Sequence, residues 1–145
     1  MPIILIIALL LGGGVSVAAG NTVPGDTLYP IKVTVNEGVR GLFAVSDESE
    51  ARLQAELAVR RLREIERLSE RDRLDAETRA DLRARLAAHM EAMRERAAAL
   101  EEGERFAAAA RIHSDFEAAL RAHDQVLRRL GDEGPAERRE ALVDI

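Results

Sequence analysis

Apolar positions change their spacing along this chain, and each spacing predicts a different element. Residues 3–11 are an uninterrupted run of nine apolar side chains, followed by Gly12-Gly13-Gly14 and small residues up to Gly20. Behind Pro30, the residues Ile31, Val35, Val39, Leu42 and Phe43 fall at i, i+4, i+8, i+11 and i+12, one stripe of a short helix. Its β-branched residues, with Gly38 and Gly41, make that helix intrinsically poor, so it must lean on a partner.

Three long helical patterns follow. Ser46-Asp47-Glu48 reads as an N-cap with acids in the first turn, opening a helix to about Arg71. Leu53, Leu57, Leu62, Ile65 and Leu68, with Ala51, Ala55 and Ala58, cover half its circumference, enough to face two neighbours. Charges on the other side, such as Glu56 with Arg60, sit at i, i+4. Asp75 is the N-cap of a second helix whose seam is Leu82, Leu86, His89, Met93, Ala97 and Leu100, with a break at Gly103. The third carries Phe106, Ala109, His113, Phe116, Leu120, His123, Leu127 and Leu130 in steps of three and four. Residues 131–135, Gly-Asp-Glu-Gly-Pro, are expected to stop it, leaving a loosely held amphipathic tail.

The expected fold is all-α: an antiparallel bundle of three long helices plus a short N-terminal helix, preceded by an apolar leader. A dimeric coiled coil using the same seams is the architectural alternative. The organisation reads as a signal peptide or membrane anchor over 1–19, a junction over 20–32, a helical domain over 33–131, and a linker with a short tail helix over 132–145.

The leader admits more than one reading. A short apolar run, a glycine break and small residues at Val17 and Ala19 resemble a signal peptide and its cleavage site, with residues 16–18 as an alternative site one residue earlier. No Lys or Arg precedes the run, so either further residues precede Met1 or the amino terminus supplies the only positive charge. Residues 2–20 carry no charge, and as a helix they would span roughly 28 Å, about one bilayer core, so a retained anchor is the rival. A buried soluble helix is the third reading. The first two place the rest of the chain outside the cytoplasm: secreted, periplasmic, or tethered to the outer face of the cytoplasmic membrane.

Composition narrows the functions. Of 145 residues 32% are charged and 3% aromatic, which suits long helices with thin seams. The net charge is -5, with acids interspersed among the arginines, so nucleic-acid binding is not expected. No cysteine is present, which removes disulfides, thiolate metal sites and thiol nucleophiles.

One island is chemically distinct: Pro24-Gly25-Asp26-Thr27-Leu28-Tyr29-Pro30-Ile31-Lys32, with the only Tyr and the only Lys of the chain. Pro24-Gly25 is a turn signal, Asp26 suits backbone amides, Tyr29 is pushed to extended geometry, and Pro30 suits a first helical turn. Together with Glu37, residues 46–48 and Leu57-Ala58-Val59-Arg60-Arg61-Leu62-Arg63-Glu64, this island resembles the bacterial DUF5667 family, a domain of unknown function in secreted or membrane-tethered proteins. The likeness covers roughly residues 22–130. It implies an extracytoplasmic helical domain and brings no catalytic residues. Pro24, Gly25, Asp26, Leu28, Tyr29, Pro30 and Lys32 are the motif residues, read either as a recognition patch or as a turn and cap that dock Leu28 and Tyr29 onto the bundle.

Candidate chemistry is sparse. His89, His113 and His123 all fall on expected seam positions. If the hairpin turns at Gly103, His89 and His113 lie within roughly 6 Å along the axis, and with Glu117 or Asp115 they are the candidate metal ligands. His113-Ser114-Asp115 is no hydrolase triad, because consecutive helical side chains diverge and no glycine elbow accompanies them. The remaining carboxylates are expected on solvated faces among arginines. No enzyme and no cofactor are expected. The leading expectation is an exported, non-enzymatic helical domain that binds another protein or the envelope, with a homo-oligomer compatible. The alternative is an extracytoplasmic stress- or metal-responsive helical protein, chaperone-like or metal-binding through His89 and His113.

Overall fold

The computed structural model describes residues 23–26, 45–143 and 145. The apolar leader, Leu28, Tyr29, Pro30 and Lys32 of the motif, and the short helix expected behind Pro30 lie outside the described residues. The chain divides into two units, Met1–Phe43 and Ala44–Ile145.

In the first unit, residues 23–26 form a tight turn. The Asp26 N–H donates to the Val23 carbonyl at 3.0 Å, and Gly25 takes φ 87°. Proline second and a left-handed glycine third is the arrangement of a type II turn, which a Cβ at the third position would strain. The Val23 N–H donates back to Asp26 Oδ2 at 3.0 Å, so the carboxylate closes the turn from inside.

The second unit is all helix and loop among the described residues: α1 Asp47–Glu70, α2 Ala76–Glu102, α3 Phe106–Glu133 and α4 Ala136–Leu142. Expected caps start the first two. At α1, the Ser49 N–H donates to Ser46 Oγ at 3.2 Å and the Ser46 N–H donates to Ser49 Oγ at 3.0 Å, a capping box built from two serines. At α2, the Thr78 N–H donates to Asp75 Oδ1 at 2.7 Å.

Side-chain contacts fix the topology. Asp47 pairs with Arg96 at 3.3 Å and Gln54 with His89 at 2.8 Å, so moving along α1 means moving backwards along α2. Arg105 pairs with Glu48 and His123 with Glu66, both 57 residues apart in sequence. That constant offset holds α1 and α3 parallel and in register over eighteen residues, roughly 27 Å of helix. The result is an up-down-up bundle in which α1 touches both long neighbours, as its broad apolar arc requires.

Burial follows two stripes on α1. Ala51, Ala58, Leu62 and Ile65 belong to one, Leu57 and Leu68 to the other. On α2 the buried residues are Leu82, Leu86, Met93, Ala97 and Leu100, the expected seam with His89 half-buried within it. On α3 they are Ala109, Ile112, Phe116 and Leu127, joined by Gly131.

Two expectations are corrected. His113 is exposed, and Ile112 takes its seam position. Steps of three and four from Ala109 to Phe116 are satisfied by either residue, and the larger apolar gain selects Ile112. Phe106, read as the first seam residue, is 61% exposed at the start of α3. The third helix ends within residues 131–135, as expected. Gly131 stays helical and buried, and the stop comes where Pro135 pushes Gly134 to extended geometry at φ -95°, ψ 173°.

Candidate functional site

The least expected feature of α1 is a charged pair in its interior. Arg61 and Glu64 sit at 0% and 1% exposure, with Arg61 Nε 3.4 Å from Glu64 Oε2 one helical turn away. This corrects the expectation that the acids and arginines occupy solvated faces. The signal was in the spacing: Gln54, Leu57, Arg61, Glu64 and Leu68 step by three, four, three and four, so the pair stands where a seam would carry leucines. Both residues also belong to the helical segment that carries the family likeness. Two charges taken out of water lose several kcal/mol of hydration each, which only close pairing and further polar contacts offset.

The half-buried histidines are both engaged with α1. His89 Nδ1 lies 2.8 Å from Gln54 Oε1, and His123 Nδ1 lies 2.6 Å from Glu66 Oε1. His123 and Glu66 keep 14% and 13% of their side-chain surface. Each imidazole therefore ties a neighbouring helix to α1 at a polar step of the seam, as a core histidine with a satisfied nitrogen does.

The other candidate ligands stand apart from them. His113 is exposed, and Glu117 is taken by Arg121 at 2.8 Å on the outer face of α3. Among the described residues no three histidine, aspartate or glutamate side chains converge as a metal site would require.

Electrostatics concentrate at the α1 N-terminus. Arg52 donates to Glu48 at 2.9 Å, and Arg105 reaches the same carboxylate from the start of α3. The Arg52 hydrogen bond, with the Arg105 charge behind it, holds the Glu48 carboxyl below its ordinary range. Asp75 is held low as well, chiefly by the Thr78 amide that it caps. Anionic groups at helix N-termini gain from the unsatisfied amides there. These groups organise the bundle ends.

Among the described residues no helix is long and apolar enough to cross a membrane. The fold and its seams define a small all-α bundle protein. The sequence profile of the family described as "Domain of unknown function (DUF5667)" matches residues 21–137, and the chain belongs to that family. No curated protein and no solved structure matches the chain.

Proposed function

We propose that the chain is an exported or membrane-tethered, non-enzymatic helical domain that engages another protein or the envelope outside the cytoplasm. The observation that carries this reading is the uncharged segment 2–20, set directly ahead of the Pro-Gly-Asp turn. Membership of a domain family of unknown function is compatible with it. So is a body whose charged surface is laced with paired acids and arginines rather than one basic face.

A fusion of alkaline phosphatase behind residue 145, an enzyme active only after export, tests the compartment. Strong phosphatase activity is expected from the full chain and none from a chain lacking residues 2–20. Equal activity from the two would overturn the reading. Cross-linking of the full chain in intact cells tests the second half, with a discrete adduct in the envelope fraction expected. A monomer throughout would count against a binding role.

A further inference from the structure

Helix α4 is held to the bundle by very little. It has seven residues, none of them buried, and no side-chain cap at its start. Two clefts flank it. One of about 390 Å³ lies on the α3 side, lined by Leu127, Gly131, Arg139 and Leu142 among others. The second, of about 200 Å³, lies on the side of the α1–α2 turn, between Ser69, Leu74, Pro135 and Arg138. Both open to solvent, so α4 meets the bundle along a narrow line, with Arg139 over the buried Gly131, rather than across a filled interface.

The rest of the attachment is ionic. Arg138 donates through Nη2 and Nε to the same oxygen, Asp72 Oδ1, at 2.6 and 3.2 Å. Arg139 adds longer bonds to the Gly131 and Asp132 carbonyls at 3.3 and 3.5 Å. The Asp72 side chain is 66% exposed while Arg138 keeps 17%, so water and salt reach this ion pair from the carboxylate side. Asp72 also takes φ 52°, a left-handed conformation that aspartate and asparagine tolerate better than most residues. The hinge is short and tight. A Cβ on Gly134 would lie 2.7 Å from the Leu130 carbonyl and 2.6 Å from Arg138 Cδ, so only glycine fits there.

We infer that α4 is a strap that opens independently of the three-helix bundle, released by loss of the Arg138–Asp72 pair. A helix of this length has no stability of its own, so once undocked it melts. Opening removes Pro135, Arg138 and Leu142 from the walls of the two clefts. It bares Leu74 on the α1–α2 turn and the groove floor of Leu127 and Gly131, a strip flanked by the Asp72 and Asp132 carboxylates. High ionic strength favours the open state, because exposed charges are screened within about 3 Å at 1 M salt.

Hydrogen exchange on the full chain, followed by mass spectrometry at low and high salt, reads the strap directly. Amides of α4 are expected to exchange at least a hundredfold faster than those at Leu62, Leu86 and Phe116, and faster again in 1 M salt. Arg138→Ala should raise α4 exchange at least about twofold, the lower range of an exposed pair, and leave those core amides unchanged. Asp72→Asn should do the same while keeping the left-handed backbone, and Arg138→Lys should give partial rescue. Protection of α4 equal to that of the core, unaffected by salt or by either variant, would overturn the inference.

Discussion

Replacing one member of the buried pair on α1 should damage the bundle far more than replacing both. Glu64→Gln removes the carboxylate that stands 3.4 Å from Arg61 Nε, while the Arg61 side chain stays at 0% exposure. At an effective dielectric of about 20, two charges at that separation attract by about 5 kcal/mol, most of which the loss of hydration consumes in the intact protein. Removing one partner weakens the attraction while the hydration loss stays, and breaking a buried pair costs about 3–5 kcal/mol. Total stability of a domain this size is about 5–15 kcal/mol, so the variant should approach the limit of folding. Urea unfolding of the full chain, followed by circular dichroism, measures it. With a denaturant slope of about 1–3 kcal/mol/M the midpoint should fall by on the order of 2 M. The double variant Arg61→Met/Glu64→Leu should recover most of that loss, since apolar side chains fit a seam step without a hydration cost. Glu91→Gln serves as control, because Glu91 pairs with Arg94 at 3.6 Å on an exposed surface and should shift stability by less than about 0.5 kcal/mol. A Glu64→Gln shift no larger than the control, or a double variant worse than either single, would refute the reasoning.

Ile112→Ala should destabilise by about 2–5 kcal/mol and His113→Ala by less than about 0.5 kcal/mol, read from the same urea midpoints. The α2–α3 turn carries its glycine one residue early: Gly103 has φ -82° whereas Glu104 has φ 60°. Glu104→Gly should therefore stabilise by about 1 kcal/mol, and Gly103→Ala should be neutral or stabilising, since its Cβ meets the Ala99 carbonyl at an ordinary 3.5 Å; thermal melts decide both. Acid titration of stability tests the two depressed carboxyls. A carboxyl held low in the folded state contributes fully above the unfolded value, about 4, and loses that contribution as pH falls through the folded value. Asp75→Asn and Glu48→Gln should each flatten the fall in urea midpoint below about pH 4 without altering its trend above pH 6.

Much of the fold was legible because helical spacing and caps agree. Ser46 and Asp75 announce α1 and α2 through short polar side chains placed just before periodic apolar runs. Leu82, Leu86, Met93 and Leu100 could be read directly, because each is flanked only by alanine or charged residues and is the largest apolar side chain at its step. On α3 the steps of three and four fit Ile112 and His113 alike, and the stripe was read through the histidine although burying the isoleucine gains more. The stop within residues 131–135 was legible as well, although Gly131 itself stays helical: a glycine costs a helix only about 1 kcal/mol, and packing beside Arg139 is enough to carry the helix past it. Arg61 and Glu64 escaped because charge was read as exposure, although their spacing places them on the seam. The histidine partners Gln54 and Glu66 were likewise invisible, since each lies on a different helix, dozens of residues away. The Pro-Gly-Asp turn read well because its hydrogen bonds close within four residues.

The central claim is that this bundle belongs outside the cytoplasm, delivered by the segment ahead of the Pro-Gly-Asp turn. Mass spectrometry of the mature amino terminus, on protein recovered from separated cell fractions, tests it most directly. The account predicts either a chain beginning at Gly20 or Ala19 in an extracytoplasmic fraction, or an intact leader recovered with the membrane. An intact leader on protein that remains in the cytosolic fraction would contradict it.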